Sequence, residues 1–374
     1  MKNPFNYLQF ATGENFYDRK EIFADLRSRL MSGTTNVVLY GPRRYGKSSL
    51  VSQLATELEK SGIPCVIFDV MKVPSIDLFV SAYATKVYRK FAPVKFELRK
   101  ISEFLKNLRL KLMVGTDGEA GFSIDLAESR IGSEELTEIL DLPHKIIPKN
   151  KRAVIILDEF QEVSELLPNG QFERVMRSVI QSHENISYIF LGSRYHMLRR
   201  MFTERNRPFY KSAIAMMLDK PPFDESVDFV VSRFASGGIS ISREVAAQIV
   251  HRIDNIPYYI QQLSFEVFRL VDDDDRKEVL QDDVARAYRL LSGFNRDQYE
   301  QQMLSFSTAQ KKLLVALSQE VTNEFDDAYR AKYRLGVSST VNSTKKKLME
   351  NGYIEMSDGK YCVADPFFAA YLKP

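Results

Sequence analysis

The sequence is poor in the residues that build disulfide frameworks and zinc sites. Its 374 residues include two cysteines, Cys65 and Cys362, and four histidines. Two cysteines cannot form a disulfide framework, and the chain contains neither a CxxC nor an HxxxH pair. These absences argue against a disulfide-stabilised secreted fold and against a dedicated zinc site. We therefore expect a protein of a reducing compartment, the cytoplasm.

Long hydrophobic runs are missing as well. The chain has no uninterrupted apolar stretch of about 18 residues, the length that a membrane-spanning helix needs. Its N-terminal segment also lacks the apolar centre of a secretion signal. We therefore expect no membrane among the partners of this chain.

The charges of the sequence nearly cancel. Lysine and arginine number 52, aspartate and glutamate number 49, and the net charge is +3. Global charge therefore neither favours nor opposes a nucleic-acid partner, and any basic surface would have to be local. The composition, 44% hydrophobic and 27% charged, excludes a disordered, collagen-like or coiled-coil chain. At about 100–200 residues per domain, the length predicts two or three domains.

Short apolar runs alternate with helical spacing through the first 220 residues. Nearly continuous apolar runs are typical of a parallel sheet that is covered on both faces. The alternation predicts an α/β fold, a doubly wound parallel sheet. The predicted strands are Val37–Tyr40, Pro64–Val70, Ala153–Leu157, Ile186–Leu191 and Ala213–Leu218, and the predicted helices include Ser48–Lys60 and Phe172–Gln181.

A basic segment interrupts this alternation. Lys86–Leu112 contains nine basic and two acidic residues. Apolar residues with a period of two then flank the turn sequence GTDGEAG, which predicts a β-hairpin within an insertion at about residues 90–130. Two interpretations of the charges stay open: a solvated helix face, or a surface for nucleic acid or a protein partner.

The C-terminal part of the sequence is typical of a different architecture. Helical patterns dominate from Pro221 to about Ser292, and Asn295–Leu304 is predicted to link them to a last module. Three helices followed by a two-stranded hairpin predict a winged helix-turn-helix. Its predicted elements are Ala309–Ser318, Phe325–Tyr333, Ser338–Glu350, Tyr353–Met356 and Tyr361–Val363, with an aromatic tail from Asp365 to Leu372 that docks on the rest.

The strongest motif is a phosphate-binding loop that follows the first predicted strand. It matches GxxxxGK[ST], and an amphipathic helix follows it, as the motif requires. Backbone N–H groups of the loop and of the helix N-terminus would bind phosphate. Lys47 would bridge the β- and γ-phosphates, Ser48 would hold Mg²⁺, and Ser49 would donate a further N–H. The loop residues are Gly41, Pro42, Arg43, Arg44, Tyr45, Gly46, Lys47 and Ser48.

Two adjacent carboxylates follow the strand Ala153–Leu157. Asp158 would hold Mg²⁺, largely through water. Glu159 would polarise the water that attacks the γ-phosphate. A nucleotide kinase has no need of a water-activating glutamate, so the pair favours an ATP hydrolase.

A polar side chain also ends the strand Ile186–Leu191. In P-loop ATPases that use a catalytic glutamate, the strand between the two motif strands carries a sensor of the γ-phosphate. Ser193 is the candidate sensor, with Arg194 beside it as a second candidate that senses charge. The open alternatives are a helix cap for Ser193 and a solvated side chain for Arg194.

With these motifs the chain resembles the ATPase family found mainly in archaea, within the AAA+-related STAND class of P-loop NTPases. The resemblance implies a catalytic-glutamate (ASCE) sheet of order 5-1-4-3-2, a helical lid and a C-terminal winged helix. It divides the chain into 1–220, 221–294 and 295–374. The segments that carry it are Phe16–Glu21, GPRRYGKSSL, VIILDEFQ, FLGSRYHML, Pro257–Tyr259 and DPFF from Asp365.

The resemblance also implies a cofactor and a cycle. It implies binding of ATP or ADP with Mg²⁺, and slow hydrolysis coupled to a conformational switch. STAND proteins often hold ADP in a closed state and oligomerise on nucleotide exchange. Phe16 and Arg19 are candidates for the adenine side, and Pro257 for a contact from the lid. Asn255 stands where the family usually has glycine.

The winged helix leaves its partner open. Residues 301–374 contain ten basic and eight acidic residues, a weak excess for DNA binding. The third helix nevertheless begins with small polar residues and continues into Lys345, Lys346 and Lys347, a combination that suits a DNA groove and its phosphates. DNA binding and contacts with a protein partner or a second copy both remain expectations.

Overall fold

The structure is a computed structural model that describes residues 2–8, 19–92, 110–114, 120–124, 131–320, 324–357 and 359–373. The chain forms two compact units. We call Arg19–Gly41 with Lys47–Leu218 the core unit, and the residues from Asp219 onward, with Pro42–Gly46 and the N-terminal residues, the C-terminal unit. Of the helices in the described ranges, none combines the length and hydrophobicity that crossing a membrane requires.

The core unit is built on a five-stranded parallel sheet. Its strands lie in the order β2-β5-β6-β1-β7. Numbered among themselves, these strands read 2-3-4-1-5, which is the order 5-1-4-3-2 seen from the other edge. The α/β prediction and the implied strand order are therefore confirmed. The strands are β1 (Val37–Tyr40), β2 (Cys65–Asp69), β5 (Ala153–Asp158), β6 (Ile186–Gly192) and β7 (Ile214–Met217).

Helices cover the sheet of the core unit, and their apolar spacing explains their burial. Leu50, Leu54 and Leu58 of the second helix lie four residues apart and are all fully buried. β5 and β6 lie at the centre of the sheet, and nearly all their side chains are buried. The helices are α1 (Lys20–Ser32), α2 (Lys47–Lys60), α3 (Ile76–Phe91), α4 (Ser133–Leu140), α5 (Leu142–Ile146), α6 (Val163–Leu166), α7 (Gln171–Ile180) and α8 (Tyr195–Thr203).

The predicted hairpin is present in the insertion. β3 (Leu110–Val114) and β4 (Ala120–Ile124) pair antiparallel, with Leu110 opposite Ile124. Residues 93–109 of the basic segment lie outside the described residues. Of the basic residues before them, Lys86 donates to the carbonyl oxygen of Ile67 (2.6 Å), and Lys90 pairs with Glu59 (2.5 Å). These two lysines therefore serve local contacts of the core unit.

Helices dominate the first part of the C-terminal unit, as predicted. Phe5, near the N-terminus, is buried against Phe229 and Phe234 of this unit. The segment predicted to link to the last module, Asn295–Leu304, is helical and buries Tyr299. The helices are α9 (Phe223–Ser236), α10 (Arg243–Arg252), α11 (Pro257–Asp273), α12 (Gln281–Phe294) and α13 (Arg296–Ser305).

The winged helix-turn-helix is also present in the C-terminal unit. The aromatic tail docks as predicted, because Phe367 and Phe368 are buried. Phe367 packs against the rings of Tyr259 and Tyr288. The elements are α14 (Thr308–Gln319), α15 (Asp327–Tyr333), α16 (Ser338–Glu350), β8 (Ile354–Ser357), β9 (Lys360–Val363) and α17 (Pro366–Tyr371).

Candidate functional site

The loop between β1 and α2 contains two glycines, and each meets a separate geometric demand. A Cβ atom on Gly41 would lie 2.4 Å from the backbone oxygen of Leu218, so only glycine fits there. Gly46 has a φ of +88°, in the left-handed region that side chains disfavour. Arg44 adopts the same region with a φ of 69°. Pro42 is buried and Arg43 is exposed.

Lys47 is the first residue of α2. The side chain is only 7% exposed, and its Nζ donates to the carbonyl oxygen of Gly41 (2.7 Å). The first turn of α2 carries no acidic residue, so the positive end of the helix dipole and a buried ammonium lie together at the helix N-terminus. This combination is suited to bind an anion such as a phosphate.

Ser48 and Asp158 are brought together by the fold. The Ser48 hydroxyl donates to Asp158 Oδ2 (2.9 Å), although the two residues are 110 positions apart. Burial raises the pKa of the Asp158 carboxyl, and the carboxylates of Glu159 and Asp69 raise it further, while the Ser48 hydrogen bond opposes them. A divalent cation would offset this unfavourable negative charge.

These residues fit Mg²⁺ rather than a metal that needs a complete protein cage. Among the described residues, no group of three or more His, Cys, Asp or Glu side chains could hold a metal. Mg²⁺ characteristically takes one or two protein oxygens and completes its shell with water and substrate phosphates. The Ser48 hydroxyl and the Asp158 carboxylate are oxygens of that kind.

Glu159 lies directly after β5 with a φ of 50° and a ψ of 43°. Its Oε2 atom accepts hydrogen bonds from the Ser193 hydroxyl (2.9 Å) and the Ser193 backbone N–H (3.1 Å). It also accepts one from Gln161 Nε2 (2.5 Å). The structure therefore brings together the predicted Glu159 and Ser193, and it adds Gln161, which motif spacing alone did not single out.

Arg194 does not take part in the hydrogen bonds described for Glu159, Ser193 and Gln161. Its guanidinium approaches the carboxylate of Glu162 (3.7 Å), and its side chain is 45% exposed. Asp69 was also missed by sequence reasoning. It ends β2 and lies in register with Asp158 of the neighbouring β5. Its place at the end of a predicted strand is the signal that could have found it.

Two side chains of the loop make their contacts with the winged helix. The Arg44 guanidinium pairs with Asp365 (3.1 Å), and the Tyr45 hydroxyl donates to Glu355 (2.7 Å). Burial raises the pKa of the Tyr45 hydroxyl well above its ordinary value, and Glu355 adds to the shift. We call these two interactions the loop contacts. Because they occupy both side chains, a role of Arg44 and Tyr45 in phosphate binding would fall to their backbone.

The aromatic pair after Pro257 also contacts the loop. The guanidinium of Arg44 lies 5.0 Å from the ring centre of Tyr258 and 4.7 Å from that of Tyr259. Pro257 itself opens α11, a position where its fixed φ and missing N–H cost nothing. Asn255 has a φ of 55°. Asparagine tolerates this region better than most residues, so it can stand where the family usually has glycine.

Two of the remaining predicted nucleotide contacts, Arg19 and Ser49, lie near α1 and in α2. Arg19 precedes α1 and has a φ of 71°. Phe16 lies outside the described residues. Ser49 is half-buried in the first turn of α2.

Comparisons with known families divide the chain into two parts. The model of a family described as an ATPase domain predominantly from Archaea matches residues 16–294. A second family, described as a probable winged helix domain, matches residues 297–374. The two matches together span most of the chain.

Curated relatives share part of the sequence. An uncharacterized ATP-binding protein of Methanocaldococcus jannaschii is 26% identical over 157 residues, which is 41% of this chain and 42% of the relative. A second such protein of the same organism is 24% identical over 157 residues, covering 41% of this chain and 43% of the relative. The chain thus spans about two-fifths of the length of the curated relatives it matches.

Solved structures share the fold over nearly the whole chain. A Walker-type ATPase of Pyrococcus abyssi matches with a TM-score of 0.66 and 18% identity, covering 99% of both chains. The ORC2 protein of Aeropyrum pernix, solved in ADPNP–ADP complexes, has a TM-score of 0.57 and 12% identity, covering 94% and 91%. The ORC1 protein of that organism, solved in complex with DNA, has a TM-score of 0.52 and 13% identity, covering 96% and 92%.

Proposed function

The chain belongs to the family of ATPase domains found predominantly in Archaea, and from this premise we propose that it is a Mg²⁺-dependent ATP hydrolase that acts as a nucleotide-controlled conformational switch. The proposal assigns residues 1–220 to the ATPase core, 221–294 to a helical lid and 295–374 to the winged helix. The adenine side would involve Phe16 and Arg19, and the lid would contact nucleotide at Pro257.

In this proposal each site residue has one task in hydrolysis. Lys47 neutralises charge on the β- and γ-phosphates, and Ser48 with Asp158 holds Mg²⁺. The cation, when bound, offsets the negative charge of the phosphates. Glu159 orients the attacking water, and Ser193 senses the γ-phosphate. The hydrogen bonds between Glu159 and Ser193 support a link between these last two tasks.

The observation that carries the switch is the pair of loop contacts. Arg44 and Tyr45 belong to the phosphate-binding loop, and their partners Asp365 and Glu355 belong to the winged helix. A nucleotide that favours one arrangement of the loop changes the stability of these contacts. The contacts in turn change the affinity for the nucleotide, and the two effects correspond to the same free energy. Nucleotide state would thereby control how firmly the winged helix is held.

The test removes both carboxylates that face the loop. Asp365→Asn keeps the cap of α17, since an asparagine oxygen can still accept from the N–H groups of Phe367 and Phe368. Combined with Glu355→Gln, it should abolish the nucleotide dependence of trypsin cleavage. The full chain is digested with ADP and with a non-hydrolysable ATP analogue, each with Mg²⁺.

The matched control removes two carboxylates of the winged helix that face other basic residues. Asp327→Asn with Glu350→Gln changes the same net charge but leaves the loop contacts intact. We expect this control to keep two distinct cleavage patterns. Identical patterns with both nucleotides in the unchanged protein would contradict the switch.

A second candidate function is DNA binding by the winged helix. The exposed face of α16 is polar and carries two lysines and one glutamate: Ser338, Ser339, Thr340, Asn342, Ser343, Lys346, Lys347 and Glu350. Such a face supports contacts with a DNA groove and its phosphates. DNA is the ligand to test, since the ORC1 protein of similar fold was solved in complex with DNA.

The expectation that Lys345 contacts phosphate is wrong. Lys345 is 9% exposed and pairs with the buried Glu324 (2.7 Å). Its ammonium also lies 4.4 Å from the ring centres of Phe325 and Tyr361. A DNA surface on α16 therefore has to rely on Lys346 and Lys347.

Filter binding at two salt concentrations tests the DNA candidate. Real phosphate contacts give an affinity that falls steeply with salt. Replacing Lys346 and Lys347 by glutamate should remove binding, whereas glutamates at Lys311 and Lys312 of α14 should leave it largely intact. An affinity that does not depend on salt, or no binding at all, would exclude this candidate.

A further inference from the structure

Gln161 is a buried polar residue that the tasks assigned above leave without a role. It lies in the single helical turn Phe160–Glu162 after Glu159, and its side chain is 1% exposed. Its Nε2 donates to Glu159 (2.5 Å) and to Glu162 (3.1 Å). Because both neighbours of this nitrogen are carboxylate oxygens, the orientation of the amide is determined.

Burial of the carbonyl oxygen of this amide lowers the stability of the fold. Gln161 Oε1 has no hydrogen-bond partner among the described residues. An unpaired buried acceptor is destabilising, and an apolar side chain of similar size would avoid the penalty. A glutamine at this position therefore costs stability, and the interactions that compensate are those its nitrogen makes with Glu159 and Glu162.

Gly192 at the end of β6 makes room for the amide. A Cβ atom on Gly192 would lie 2.0 Å from Gln161 Oε1 and 3.0 Å from a methyl group of Leu198. The φ of Gly192 does not lie in the left-handed region, so space rather than conformation requires glycine here. Gln161, in the helical turn after β5, and Gly192, at the end of the neighbouring β6, are thus fitted to each other.

We propose that Gln161 is a positioning residue that fixes the carboxylate of Glu159 for its task in ATP hydrolysis. Three hydrogen bonds converge on Oε2, one from Gln161 and two from Ser193, and none of them involves Oε1. This arrangement restricts rotation of the carboxylate and assigns its two oxygens different tasks. Oε2 is held by the protein, and Oε1 orients water. The inference rests on the proposed role of Glu159.

The test removes the donor while keeping the volume. Gln161→Met should lower kcat by about 100-fold, the size of loss that follows from misplacing a catalytic group by about 1 Å. KM and the affinity for a non-hydrolysable ATP analogue should stay within about twofold, because Gln161 does not touch the nucleotide in this mechanism. A structural role alone would instead lower thermal stability and weaken nucleotide binding together with kcat.

A second variant disturbs the contact between Gln161 and Glu159 by a change at Gly192. Gly192→Ala should displace the amide and reproduce the loss of kcat with unchanged nucleotide affinity. In a Glu159→Gln background, Gln161→Met should cause no further loss of turnover, because the residue it positions is already gone. A further loss of about 100-fold in that background would overturn the inference.

The failure of this inference can be told apart from failure of the proposed function. If Glu159→Gln hydrolyses ATP at the unchanged rate, the proposed role of Glu159 is wrong. If Glu159→Gln is inactive while Gln161→Met keeps the full kcat, only the role of Gln161 is wrong.

Discussion

At the scale of single residues, Glu159 and Arg44 have a backbone conformation that is unusual for residues with side chains. Glu159 and Arg44 have φ values of 50° and 69°, a region that residues with side chains rarely adopt. Each such position costs about 1–3 kcal/mol and persists only where contacts hold it. Ser193 and Gln161 hold Glu159. Asp365 holds Arg44. Both positions therefore respond strongly to the loss of a neighbouring contact.

We expect nucleotide binding to depend most on Lys47. Lys47→Ala removes the buried ammonium at the N-terminus of α2, and we expect it to abolish ATP and ADP binding. Titration of a fluorescent nucleotide analogue measures the effect. Lys60→Ala, at the exposed end of the same helix, is the control and should bind normally.

A change at Glu159 is expected to separate nucleotide binding from turnover. Glu159→Gln keeps the size of the side chain but removes the charge that polarises water, so nucleotide binding should persist while turnover falls by at least about 100-fold. Phosphate release under saturating ATP is the measurement. Hydrolysis at the unchanged rate would exclude Glu159 as the base.

We expect Lys345 to contribute to stability rather than to DNA binding. Lys345→Ala leaves the carboxylate of Glu324 buried without its partner, and such losses cost about 3–5 kcal/mol. Lys346→Ala on the exposed face should change the free energy of unfolding by less than about 0.5 kcal/mol. Chemical denaturation of both variants compares them. Equal stabilities would show that the ion pair contributes little.

At the scale of secondary-structure elements, α17 has two tasks in the C-terminal unit. It buries Phe367 and Phe368 among the aromatic side chains of α11, α12 and α13. Asp365 caps its N-terminus and also pairs with Arg44. A short helix of six residues is not stable alone, so its position depends on this packing. Loss of the packing would also displace Asp365.

Phe367 is the side chain whose removal tests this dependence. Phe367→Ala should lower the free energy of unfolding by about 3–5 kcal/mol, as for other buried aromatics. It should also reduce the difference between the trypsin cleavage patterns with ADP and with the ATP analogue, as expected for the Asp365→Asn/Glu355→Gln variant. Lys373→Ala, two positions after α17, is the control and should leave both measurements unchanged.

At the scale of the whole molecule, nucleotide exchange would decide the assembly state. The family resemblance implies an ADP-bound closed state that oligomerises after exchange for ATP. A signalling scaffold that acts by oligomerising in this way would need little turnover. Such a scaffold function makes a different prediction from an ATPase that works as a monomer. The scaffold and the monomeric ATPase would both bind nucleotide, but they would differ in particle size.

Light scattering after gel filtration measures that size. With ADP we expect a monomer of the full chain, and with a non-hydrolysable ATP analogue and Mg²⁺ we expect a larger species. Lys47→Ala should remain monomeric in both cases, because it binds neither nucleotide. One unchanged monomer peak with both nucleotides would count against the scaffold function.

The sequence predicted the fold and the motif residues because both depend on local patterns. The apolar strands and the spacing around Lys47 are readable without tertiary information. The partners of Arg44 and Tyr45 are more than 300 residues away, and no local pattern specifies such a pairing. The burial of Lys345 could have been predicted from the sequence, because the residue lies four positions after Val341 and three before Leu348 on the apolar side of α16.

The loop contacts also limit how such a protein can evolve. The phosphate-binding loop and the winged helix are encoded far apart, yet Arg44 and Tyr45 need the carboxylates of Asp365 and Glu355. A recombination event that replaced the C-terminal domain by one without matching acids would remove the carboxylates that Arg44 and Tyr45 contact. The two domains are therefore expected to be inherited together, and a change in the loop should be followed by a compensating change in the wing.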